Sequence, residues 1–151
     1  MAERIKQSSE DFVELIVSKL RSFKNNYNDG NYRECVSALH FICEGLARYV
    51  LGTKGYYPES HEGVQILFAQ HFVRPGEIKK DAYNHLTNLY LRRKDAEYRG
   101  FVAFDKDDVK DYFDKTISFY NEVKKYFAKN HALKIQEMIN KISKVFSKKP
   151  V

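Results

Sequence analysis

The sequence predicts an all-α fold, an up-and-down helical bundle of about five core helices followed by a basic amphipathic C-terminal helix. Two observations carry this. Apolar side chains recur at helical spacing along most of the chain. Only three prolines and seven glycines occur in 151 residues, few for a sheet protein that needs many tight turns.

The elements follow in order. A first helix is expected over about 9–25, opened by Ser8 with Asp11 three residues on in capping-box spacing. Phe12, Leu15, Ile16, Leu20 and Phe23 form its apolar stripe. Asn28, Asp29, Gly30 and Asn31 signal a turn. A second helix over about 32–51 places Val36, Leu39, Cys43, Leu46 and Val50 on one face, and Gly52 to Gly55 ends it. Ser60 caps a third helix over about 61–72, and Pro75-Gly76 breaks the chain. A fourth runs over about 78–98, with Ile78, Ala82, Leu86, Leu89 and Arg93 along its stripe. Gly100 interrupts it. A fifth starts at Asp105 and carries Val109, Phe113, Ile117, Tyr120, Val123 and Phe127 to about 128. Asp107, Asp108 and Asp111 in its first turns suit the positive end of the helix dipole and are read as capping, not as a metal site. In the tail, Ile135, Met138, Ile142 and Val145 make a short seam with lysines opposite. That helix, over about 132–147, is expected to pack on its own domain, with a partner helix or an anionic surface as the alternatives. The domain reading is a bundle over 1–130 and a lysine-rich amphipathic tail over 131–151.

Composition limits the functional classes. The net charge is +6, yet from Lys129 onward six lysines face one acid, Glu137, which leaves residues 1–128 at +1. Basicity therefore argues for a nucleic-acid partner only through the tail. The wholly apolar runs are short and the start of the chain lacks an apolar leader stretch, so no membrane insertion and a cytoplasmic location are expected. Cys35 and Cys43 fall eight apart on one helix, about 12 Å of rise, and read as buried thiols rather than a bridge. No cysteine–histidine cluster has zinc-site spacing, and no cofactor is expected.

Arg93 is the anomaly. It lies four residues after Leu89 and seven after Leu86, within about 40° of the apolar stripe. A guanidinium cannot be deprotonated, so it needs acids or several acceptors there. Either Glu97 at i+4 is a structural partner, or Arg93 faces a groove and awaits a phosphate, which its planar fork binds bidentately. Arg92, Lys94 and Arg99 stand close by, giving residues 92–99 four cations and two acids. His61 is a polar first-turn residue or a base across the groove. His85 reads as a satisfied, half-buried ring, and His40 and His71 give no signal. There is no Ser/His/Asp logic and no phosphate-cradling glycine loop.

The stretch Leu89-Tyr90-Leu91-Arg92-Arg93-Lys94-Asp95-Ala96-Glu97-Tyr98 resembles a subgroup pattern of the HEPN family (higher eukaryotes and prokaryotes nucleotide-binding), a Leu-Tyr helix ending in Arg, three residues, an acid and a Tyr. Ser60-His61-Glu62-Gly63-Val64 is similar to the subgroup's His-x-Gly-Val helix. Gly100-Phe101-Val102-Ala103-Phe104-Asp105 resembles its loop into the last helix. The likeness covers roughly 28–128. It implies a helical bundle and a homodimer with the motif at the two-fold axis. It also implies kinship with metal-independent ribonucleases, often toxins paired with a nucleotidyltransferase antitoxin. The family signature is Arg followed four to six residues later by His. Here Arg93 matches the Arg and Tyr98 stands in the His position.

Three functions follow as expectations. The first is a homodimeric module of a toxin–antitoxin-like system that binds a nucleotide, RNA or a partner through Arg92, Arg93, Lys94, Tyr98 and Arg99 without strong catalysis. The second is a metal-independent RNA endonuclease in which Arg93 stabilises the phosphate and either Tyr98 or His61 handles protons; histidine titrates near neutrality and tyrosine does not. The third makes Tyr98 the hydroxyl that a nucleotidyltransferase partner modifies.

Overall fold

The computed structural model describes residues 8–147 and folds them into six α-helices, with no strand among the described residues. These are α1 (Ser9–Asn28), α2 (Tyr32–Thr53), α3 (His61–Phe68) with a π-turn (Ala69–Val73), α4 (Lys80–Tyr98), α5 (Lys106–Val123) with a 3-10 turn (Lys124–Tyr126), and α6 (Lys129–Ser147). The all-α bundle expected from the sequence is what forms. The end of the tail, with Lys148 and Lys149, lies outside the described residues.

Local chemistry explains the starts. Ser8 Oγ accepts the Asp11 amide and Asp11 Oδ2 accepts the Ser8 amide, the reciprocal box anticipated from the spacing. Asp105 and Asp108 make the same exchange at α5; of the acids read as capping, Asp108 closes the box and Asp111 pairs with Lys115. Gly30, Gly55 and Gly76 turn the chain with positive φ, at three of the four breaks read from the sequence.

Helix α2 runs through the middle and packs against α1, α3, α4 and α5. Its length and composition would let it cross a membrane, but most of that stretch is buried inside the bundle. Burial extends beyond the expected stripe to Ala38, His40, Ile42, Glu44, Ala47 and Tyr49. Gly45 lets α1 approach closely: a Cβ there would lie 2.9 Å from Ile16. Stacked rings join the layers, with Phe23 on Phe113 and Phe113 on Phe146. Cys35 and Cys43 are buried free thiols, both pushed up to about 12 by burial.

Helix α6 lies on α1 and sinks Ile135, Met138, Ile139 and Ile142 into the core, each adding roughly 1.5–3 kcal/mol. Its start is tied by Tyr49 Oη to His131 Nδ1 at 2.8 Å and by the Tyr120 hydroxyl donating to the Ala132 carbonyl. Two boundaries differ from the sequence reading. The third helix widens into the π-turn after Phe68, and Lys54 Nζ takes up the His71 carbonyl there. The fifth helix ends at Val123, because the chain must turn to stack Phe127 on Tyr49 at 3.8 Å.

The C-terminal end of α4 is closed by a side chain that sequence reading passed over. Arg33 of α2 donates to the carbonyls of Asp95, Ala96, Arg99, Gly100 and Val102. Two of these carbonyls belong to the last turn of α4 and three to the chain that follows it, gathered around one cation. Replacing Arg33 by Met keeps the stem and removes the donors. Urea unfolding should show a loss of about 2 kcal/mol, with hydrogen exchange faster across residues 95–102.

His40 and His85 are buried in the bundle. Burial is the main cause that lowers His40 to about 3 and His85 to about 4. The unfolded chain takes up protons on both rings below about pH 6.5, and the folded rings stay neutral, so stability falls as pH drops through that window. Between pH 7 and pH 5 about 2–4 kcal/mol of unfolding free energy should disappear on account of these rings. Urea titrations at the two pH values test this, and His85→Leu should roughly halve the fall.

Candidate active site

The site lies where α2, the start of α3 and α4 meet. On α2, His40 and Glu44 are one turn apart and both buried. The chain reaches α3 through Pro58, whose carbonyl accepts from Arg48. Ser60 Oγ then accepts the Gly63 amide at 2.9 Å and starts the helix. Gly63 is needed for that cap, since a Cβ would sit 2.9 Å from Ser60 Oγ. This turn presents His61 toward α2, with its side chain 37% exposed.

His61 Nδ1 lies 2.7 Å from Glu44 Oε1. The other Glu44 oxygen faces Arg48 Nε at 3.9 Å. From α4, Arg93 places Nη1 3.4 Å from His61 Nε2 and 3.4 Å from His40 Nδ1. Its Nε donates to Glu97 Oε1 at 3.0 Å, and Glu97 also accepts from Ser37 at 3.4 Å. The guanidinium lies over the Phe41 ring, 4.8 Å from its centroid. Arg93 thus makes the structural pair with Glu97 and also keeps an edge on two imidazoles, with 20% of its side chain exposed.

The donors fix the tautomers. A guanidinium can only donate, so the nitrogens facing it, His40 Nδ1 and His61 Nε2, present lone pairs. His61 therefore carries its proton on Nδ1 and gives that hydrogen bond to Glu44. A carboxylate that orients an imidazole and leaves Nε2 basic is the arrangement of a general base. Burial first, then the charges of Arg93, His61 and Arg48, hold His40 down at about 3, so its ring stays neutral beside the cation. Tyr90 closes the edge: its ring lies 5.2 Å from His61 and 5.5 Å from His40, and its hydroxyl donates to Glu62 at 2.8 Å.

Arg93 and His61, both marked from the sequence, are brought together. The other marked residues point elsewhere. Arg92 and Arg99 bind the two oxygens of buried Asp95, at 3.3 and 3.1 Å. Lys94 lies over Tyr90, 4.4 Å from the ring centroid. Tyr98, the last residue of α4, is 80% exposed. His40 and Glu44 were missed. Their signal was there: a histidine and an acid at i,i+4 inside an otherwise apolar helix. Donor atoms of His40, Glu44 and His61 all lie within 4.8 Å of one another and could ligate a metal. A cation at that point would have to displace Arg93.

A Methanocaldococcus jannaschii protein named "Putative toxin MJ0142" is 27% identical over 134 residues, spanning 89% of this chain and 91% of its own length. A Thermotoga maritima protein named "UPF0332 protein" is 29% identical over 76 residues, 50% of this chain and 58% of its own length. The HEPN domain pattern matches residues 17–126, the stretch that holds His40, Glu44, His61 and Arg93. The chain is a member of the HEPN domain family.

Proposed function

We propose that this HEPN protein is a toxin-like RNA endonuclease that needs no metal, with His61 as base and Arg93 as anion stabiliser. One observation carries the reading: Glu44 holds His61 so that its basic nitrogen lies 3.4 Å from the Arg93 guanidinium. An RNA phosphate reaching Arg93 exchanges a long contact to two neutral rings for charge-assisted bonds. His61 Nε2 then faces the neighbouring 2′-hydroxyl and takes its proton. The 2′ oxygen attacks phosphorus, the bond to the 5′ oxygen breaks, and that oxygen leaves with a proton from water. The products are a 2′,3′-cyclic phosphate and a 5′-hydroxyl. Arg93 neutralises charge on the non-bridging oxygens in the transition state. Glu44, 2.7 Å from His61 Nδ1, keeps the ring aligned and stabilises the imidazolium that forms. The likeness to a protein named as a toxin supports the physiological side of this reading. A homodimer and an antitoxin partner of nucleotidyltransferase type belong to the same proposal.

Full-length protein incubated with labelled single-stranded RNA in EDTA should yield cyclic-phosphate ends. Arg93→Ala and His61→Ala should each lower the rate about 100-fold or more. Tyr98→Phe should leave it nearly unchanged. RNA that is bound but stays intact at stoichiometric protein would replace this reading with the non-cleaving module.

A second reading rests on the 80% exposure of Tyr98. A hydroxyl so placed is open to a partner enzyme: it attacks the α-phosphate of ATP, the tyrosyl–phosphate bond forms and pyrophosphate leaves. Co-expression with a nucleotidyltransferase encoded beside this gene should add one AMP mass to Tyr98, and Tyr98→Phe should abolish it.

A further inference from the structure

We infer that His40 and His61, backed by Glu44, form a latent site for a zinc-class ion, whose place Arg93 fills in the metal-free protein, so that such an ion acts as an inhibitor and not as a cofactor. The tautomers carry the argument. Two imidazole lone pairs, His40 Nδ1 and His61 Nε2, converge on one guanidinium nitrogen at 3.4 Å each. Nitrogen lone pairs from two rings are what a borderline-soft divalent ion seeks, at about 2.0–2.1 Å.

The rest of the shell is in place. Glu44 Oε1 already holds His61 Nδ1 at 2.7 Å, the carboxylate–histidine pairing that orients metal-bound imidazoles. Donor atoms of the three residues lie within 4.8 Å of one another, so the two rings close on one ion with small side-chain shifts while Glu44 stays on His61 Nδ1. His40 is fully buried, and its Nδ1 faces the guanidinium and no other donor. Access runs from the side where His61 and Arg93 are partly exposed. The obstacle is charge: Arg93 must swing away, and Glu97, already bound to its Nε, gives it a partner as it goes. The ion would then occupy the base's lone pair and remove the anion-binding edge together. The inhibition rests on the nuclease reading; the binding does not.

Cobalt is the probe, because a low-symmetry four-coordinate cobalt ion absorbs strongly in the visible. Titrating the full chain with Co²⁺ should give such bands, and Zn²⁺ should displace them. Arg93→Met should tighten Co²⁺ binding about tenfold or more by removing the competing cation. His61→Ala, at a partly exposed position that folding tolerates, should abolish the bands. Zn²⁺ should stop RNA cleavage in the wild type at the concentration that displaces cobalt. Absence of bands in both the wild type and Arg93→Met overturns the site. So do bands that persist in His61→Ala, or binding that weakens in Arg93→Met. If RNA stays intact without metal while the bands behave as stated, the metal site stands and the nuclease reading falls.

Discussion

Arg93 cannot give up its proton, and the surrounding side chains are arranged around that constraint. A cation placed along the apolar stripe of α4 needs acceptors, and it has one carboxylate, Glu97, and two ring nitrogens. The carboxylate holds one edge of the guanidinium. The rings meet another edge at 3.4 Å, a long distance for a hydrogen bond. Phe41 supports the flat face. The pairing with Glu97 is therefore strong enough to place Arg93, while the contact with the rings is weak enough to exchange for a better acceptor. Because Arg93 only donates, it also sets the protonation of its neighbours. His40 stays neutral, and His61 turns its proton toward Glu44.

Other cations of the same segment are kept out of this arrangement. Asp95 is buried and binds both Arg92 and Arg99, and its own carbonyl is held by Arg33. The end of α4 thus gathers three guanidiniums around one carboxylate and the nearby carbonyls. A run that reads as four cations in sequence presents one guanidinium to the site and keeps two on Asp95. Other charges of the bundle are matched within one helix, as in the i,i+4 pairs Lys110–Asp114 and Lys115–Asp111 of α5. Exposed pairs of this kind add little stability.

How much was legible in the sequence depended on how far apart the interacting residues lie along the chain. The helices were legible because capping and turns act over three or four residues: Ser8 with Asp11, Ser60 with Gly63, Asp105 with Asp108. Arg93 was legible because it breaks a stripe. The π-turn after Phe68 and the early end of α5 were not, since both serve packing of rings far away in sequence. Arg33 was invisible because its acceptors are carbonyls more than sixty residues on, and any residue supplies a carbonyl. His40 was passed over although its i+4 partner Glu44 marked it as a buried polar pair.

The replacement of histidine by Tyr98 at the expected motif position shows what one-helix spacing can and cannot decide. Five residues beyond Arg93, a side chain points about 140° away around a straight helix. Tyr98 is moreover the last residue of α4 and faces solvent. A base at that position would need a bend or a second chain to return to Arg93. His61 arrives from α3 instead, at 3.4 Å, with its carboxylate already in place on α2. Which residue can move a proton beside Arg93 is therefore decided by which element crosses α4 at its level. A position in the chain is here not a position in space: Tyr98 is five residues from Arg93 and faces solvent, while His61 is 32 residues away and lies beside it.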